Sequence, residues 1–181
     1  MNDLVVIAAD VDIEASVRAI LSRTRSLGIR QLSAEFLRHP GHDPGVFSSG
    51  TDLAHNSAAT ASHALLVLDM AWDGNPYADP ADLETNLESR LDPIWGNRAK
   101  AIAIQPEVEV WAWSRSPHVA TQLGWDSADD LKVFLETGGH WPAGSAKPPD
   151  PKAALEAAAR KQRTVLSSAV FREILKRVSL A

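Results

Sequence analysis

Leu4-Val5-Val6-Ile7-Ala8-Ala9-Asp10, near the start of the chain, decides the fold class. Residues 4–8 are apolar without interruption, and Val5, Val6 and Ile7 are β-branched. A run that does not alternate predicts a strand covered on both faces, the hallmark of a parallel sheet. Asp10 closes it, and Ile13, Val17, Ile20 and Leu21 then recur at helical spacing, with Gly28 as the stop. The alternation of strand and helix continues downstream. A second strand is expected over 29–37, then a loop over 39–45 whose two prolines and two glycines should forbid regular structure. A weak helix over 46–60 leads to a strand over 64–68 that ends at Asp69. The polar loop 73–76 precedes a helix over 81–91 capped near Asp79-Pro80, and a fourth strand over 100–104 ends at Gln105-Pro106. This alternation predicts an α/β three-layer sandwich with a mainly parallel four-stranded sheet.

Past Pro106 the pattern changes. Residues 107–113 alternate polar and apolar and fit a strand or a helical turn. Helices are expected over 126–135, 151–161 and 167–178, with Asp150 as N-cap and Pro151 at the first helical position, and 138–149 as a loop. No internal repeat is visible. The expected organisation is an α/β core over 1–115 with a C-terminal helical extension over 116–181, packed as a single unit.

The chain has 181 residues, 45% of them apolar, and no cysteine. That length buries a core without staples, and the missing thiols exclude disulfide scaffolds, thiol nucleophiles, iron–sulfur clusters and Cys-type zinc sites. The apolar runs are too short to cross a bilayer, and Met1-Asn2-Asp3 is no secretory start, so a cytoplasmic protein without membrane partners is expected. Residues 147–181 carry eight Lys or Arg against three acids, so a basic tail follows an acidic body. Such a tail binds nucleic acid or docks on its own chain. Six tryptophans against one tyrosine all lie between Trp72 and Trp141, and they form either an aromatic core or an aromatic surface.

Ligands of parallel α/β sheets bind beyond the carboxyl ends of the strands. There the sequence places Asp10, Asp12 and Glu14, then His39, His42 and Asp43, then Asp69 and Asp73, then Glu107 and Glu109. Carboxylates converging on one edge suit Mg²⁺ or Mn²⁺ and phosphoryl transfer. Each also has a structural role open to it: Asp10 as a helix cap, Glu14 in a first turn, Asp73-Gly74 as a turn. His39, His42 and Asp43 could hold a transition metal, or form a contact loop over the edge. His55 and His63 read as structural histidines. No phosphate-cradling glycine loop follows the first strand, and no G-x-S-x-G elbow occurs.

The strand with Glu14 just beyond it, Leu65-Leu66-Val67-Leu68-Asp69, and Pro106-Glu107-Val108-Glu109-Val110-Trp111 together resemble the small TOPRIM-like, nuclease-type proteins of bacteria. The resemblance covers roughly residues 3–115. Ser114 to Val119, Lys147-Pro148-Pro149-Asp150-Pro151-Lys152 and Lys176-Arg177-Val178-Ser179-Leu180 resemble a narrower subgroup tied to methylation-associated phage defence. The resemblance implies Glu14 as general acid/base or ligand and Asp69 as a Mg²⁺ ligand. Asp10, Asp73 and Glu109 complete the candidate metal set. The family's second aspartate falls at Ala71, and the glycine beside its first acid is missing.

Two functions follow as expectations. One is a Mg²⁺- or Mn²⁺-dependent nuclease with Glu14 and Asp69 as catalytic residues, whose tail holds nucleic acid through Arg160, Lys161 and Arg163. The other is a catalytically degenerate module that binds other defence-system proteins through exposed tryptophans. Trp72, between Asp69 and Asp73, is expected beside the site. About half of the six tryptophans are expected to pack the C-terminal helices onto the sheet.

Overall fold

The computed structural model describes every residue except Arg115, Leu180 and Ala181. It divides into two compact units, one of residues 1–14 and 28–105, the other of residues 15–27 and 106–181.

The first unit holds four strands, β1 (Asn2–Ala8), β2 (Ala34–Arg38), β3 (Ala61–Asp69) and β4 (Ala99–Ile104). They form one all-parallel sheet in the order β2-β1-β3-β4, as the unbroken apolar runs require. Val6 lies opposite Phe36 on one side and Leu65 on the other. Val5, Val6, Ile7 and Ala8 have no solvent exposure, so both faces of β1 are covered, as in a three-layer α/β sandwich. The helices of this unit are α3 (His42–His55), packed on β1 and β3, and α4 (Pro80–Trp95), packed on β4 and α3.

Helix α4 shows why its sequence folds as it does. Leu83, Leu87, Leu91 and Trp95 recur every four residues and are fully buried. Asp79 caps the N-terminus by accepting from the Ala81 N–H at 2.9 Å, with Pro80 at the first helical position. The polar side of α4 also shields an edge of the sheet. Glu84 and Glu88 accept from the Ala103 and Ala101 N–H groups of β4 at 3.0 and 3.3 Å. Donors that an edge strand would offer to another chain are thereby occupied.

Several boundaries differ from the expected ones. The second strand starts at Ala34 rather than residue 29. Asp3 instead binds the segment before it, through the Arg30 guanidinium and the Ser33 N–H and hydroxyl, at 2.8 and 3.0 Å for Ser33. The loop expected over 39–45 is already helical from His42, because a proline in the first helical turn gives up no intrahelical hydrogen bond. Helix α4 continues past residue 91 through Pro93, which gives up the hydrogen bond to the Ser89 carbonyl in a last turn that buries Trp95. Residues 108–111 form a 3₁₀ turn, closed by Val110 N–H and Ala112 N–H donating to the Glu107 and Glu109 carbonyls, so the strand alternative fails.

Helix α1 (Val11–Leu21) begins in the first unit and continues into the second, followed by the short α2 (Thr24–Leu27). The second unit also contains α5 (His118–Leu123), α6 (Ala128–Thr137), α7 (Pro151–Lys161) and α8 (Ser168–Leu175). The sequence pattern does not mark α5, a six-residue helix closed by Gly124 at φ +84. Residues 15–27 belong to this unit partly through Arg23, whose guanidinium donates to the Leu175 and Val178 carbonyls at the end of α8. A cation suits a helix C-terminus, where carbonyls lack partners. Tryptophans fill the rest. Trp113 Nε1 donates to the Pro151 carbonyl at 2.9 Å and Trp125 Nε1 to that of Ala158 at 3.3 Å. Trp125 meets Phe134 at a tilt, ring centres 5.0 Å apart, and Trp141 meets Trp113 edge-on at 5.4 Å.

Among the described residues, no helix is long and apolar enough to cross a membrane.

Candidate functional site

The carboxyl edge of the sheet in the first unit brings Asp10, Asp43 and Asp69 into one neighbourhood. Asp10 follows β1, and its Oδ1 accepts from the Asp12 and Ile13 N–H groups at 2.9 and 2.8 Å, capping α1. Asp69 ends β3 and is 8% exposed. Its backbone N–H donates to Asp43 Oδ1 at 2.8 Å, which ties the first turn of α3 to the strand end. Burial pushes the Asp43 carboxyl above its ordinary range, and the negative charge of Asp10 adds to the shift. The Asp69 N–H and His42 act in the opposite direction but do not outweigh these. This edge therefore holds a half-buried carboxyl beside a second negative charge.

Glu14 lies one turn into α1, half-buried, and its Oε2 is 3.1 Å from Arg38 Nε at the end of β2. Asp73 is exposed in a turn completed by Gly74 at φ +85. Glu109 is buried in the 3₁₀ turn of the second unit. Nearby, burial raises the Glu107 carboxyl, against the opposing charge of Lys152.

The histidine loop has a defined job. His39 Nδ1 accepts from the Gly41 N–H at 3.1 Å, which leaves Nε2 as donor to Ser49 Oγ at 3.0 Å. Its ring rests on the first turn of α3, and a Cβ at position 45 would come within 2.1 Å of Nδ1. Glycine at 45 is thus required by the close approach of the imidazole. His42 is exposed at φ 52 and shares no metal-sized cluster with His39 and Asp43.

Among the described residues, no three His, Asp or Glu side chains come together in a group able to hold a metal ion. A divalent cation needs carboxylate oxygens free to reach it, and those of Asp10, Asp43 and Glu14 already hold partners within the fold. The acids point instead to structural roles: a helix cap at Asp10, a strand-to-helix tie at Asp43, an ion pair at Glu14.

Sequence reasoning missed Asp43 as a partner of Asp69, and the signal lay only in its place at the start of α3. Trp72 lies half-buried beside Phe47 at 5.6 Å, and Phe47 is one turn beyond Asp43 on α3. Trp95 and Trp113 are buried, and Trp72, Trp111, Trp125 and Trp141 are half-buried, so none of the six is fully exposed. In the second unit Arg160, Lys161 and Arg163 are all exposed around the end of α7. No protein-family model, curated protein or solved structure matches the chain.

Proposed function

We propose that this chain is a TOPRIM-like module of a bacterial defence assembly that binds a partner protein rather than hydrolysing phosphodiesters. The observation that carries the proposal is the engagement of the edge carboxylates. Asp10 caps α1, Asp43 holds the Asp69 N–H, and Glu14 pairs with Arg38. In-line phosphoryl displacement needs a metal fixed by several free carboxylate oxygens, and a carboxylate already held as cap or ion pair serves that purpose poorly. Ala71, where the resemblance expects a second aspartate, agrees with this.

The test is cleavage of single- and double-stranded DNA and RNA with Mg²⁺ or Mn²⁺, alongside calorimetric titration of the metals. No cleavage above the Asp69→Asn control and no saturable metal binding are expected. Cleavage that disappears in both Glu14→Gln and Asp69→Asn would overturn the proposal in favour of a nuclease.

A second reading, contact with a nucleic-acid backbone, is favoured by Arg163. It occupies φ 55, where glycine is the natural residue, and it presents its charge beside Arg160 and Lys161. Fluorescence anisotropy of labelled oligonucleotides over a salt series tests it. Arg163→Gly should weaken binding and reduce the salt slope by about 1. Affinity that does not change with salt removes this reading.

A further inference from the structure

The second unit contains a cavity of about 960 Å³, within the range of small-molecule sites. Its floor is apolar: Trp113, Val119, Ala120 and Leu131 are each at most 4% exposed. A second recess of about 300 Å³ shares Trp113, Ser114, Lys147 and Ser179 with it, and reaches Ile20, Leu175 and Val178. The mouth of the larger cavity carries the exposed charged residues Asp129, Lys132 and Lys147, with Ala128 exposed beside them.

Lys147 lines both recesses and is held in place by donating to the Val110 carbonyl at 3.0 Å. An ammonium has three donors, so one such bond leaves it able to bind an anion. Lys132 lies over Trp141 at 5.6 Å and adds a second positive charge at the mouth, its Nζ 3.8 Å from Glu136. Among the described lining residues there is no Asn or Gln to read a nucleobase edge, and the Trp141 ring already carries a cation. An apolar floor, an aliphatic branch and a positioned ammonium at their junction fit one kind of ligand.

We propose that this cavity binds a small amphipathic anion, a straight aliphatic chain ending in one carboxylate, with the carboxylate at Lys147 and the chain along Trp113, Leu131 and Val119. The proposal does not depend on what the edge acids of the first unit do.

Titration of the full chain with dodecanoate below its micelle concentration, followed by calorimetry and tryptophan fluorescence, tests this. Binding of one dodecanoate per chain with a change in emission is expected. Dodecanol, which lacks the charge, should bind about tenfold more weakly, and Lys147→Ala should weaken dodecanoate by about the same factor with its thermal midpoint unchanged. Ala128→Trp, at the exposed mouth, should block entry. No binding of dodecanoate, equal affinity for dodecanol, or an unaltered affinity in both variants would overturn the proposal. Tighter binding of adenosine monophosphate than of dodecanoate would overturn it too.

Discussion

The carboxylate of Asp43 accepts a hydrogen bond from the backbone N–H of Asp69 at 2.8 Å, which joins the first turn of α3 to the end of β3. The bond favours the ionised form of Asp43, yet burial and Asp10 win and its carboxyl titrates above the ordinary value of 3.8.

A raised folded-state value means that the ionised group costs stability at neutral pH. As pH falls through that value the folded protein takes up the proton first, and the cost disappears. Asp43→Asn keeps an oxygen to accept from Asp69 and removes the charge. Its thermal midpoint should rise by about 2–4 °C at pH 7, and the gain should shrink as pH falls towards the ordinary aspartate range. Asp43→Ala, which strands the Asp69 N–H, should lower the midpoint at every pH. Circular dichroism melts across the pH range decide the matter; equal shifts at all pH values for the asparagine variant would contradict it.

Glu84 and Glu88 occupy N–H groups of the edge strand β4. The double variant Glu84→Ala/Glu88→Ala should lose about 1 kcal/mol per bond. It should also expose a strand edge able to pair with another chain. Sedimentation velocity should show self-association that the parent lacks at the same concentration. A monodisperse variant would mean that the edge is protected in some other way.

Arg90 links α4 to α3. Its guanidinium donates to the Phe47 and Ser48 carbonyls and to Thr51 Oγ1, and lies 5.9 Å from the centre of the Phe47 ring. Arg90→Ala should destabilise by about 2 kcal/mol in urea unfolding. Lysine offers no planar fork and should restore less than half of that loss. Full rescue by lysine would show that charge alone matters.

The end of α7 forms a Schellman motif. Thr164 N–H donates to the Ala159 carbonyl at 2.9 Å and Arg163 N–H to that of Arg160 at 3.2 Å, with Arg163 in the left-handed region at φ 55. A side chain there costs about 1 kcal/mol relative to glycine. Arg163→Gly should therefore stabilise the protein by roughly that amount in urea unfolding. An unchanged or lower midpoint would mean that the arginine side chain offsets its own backbone strain.

The sequence by itself determined the class of the fold. Unbroken β-branched runs such as Val5-Val6-Ile7 suit strands buried on both faces, as in a parallel sheet, and the stripe Leu83, Leu87, Leu91 and Trp95 has one helical face. Caps at Asp10, Asp79 and Asp150 were legible because capping is local: a side chain bonds an N–H two or three residues on. Tertiary structure alone decided what each acid does. Asp43 and Asp69 are 26 residues apart in the chain, and Arg38 and Glu14 meet only because β1 and β2 are neighbours. It also decided the fate of two tryptophans: the ring N–H groups of Trp113 and Trp125 find the Pro151 and Ala158 carbonyls of α7. Hydrophobic period and cap chemistry act over a few residues and are written in sequence. Which carboxylate meets which donor depends on strand order and helix placement, and these form only when the chain has closed on itself.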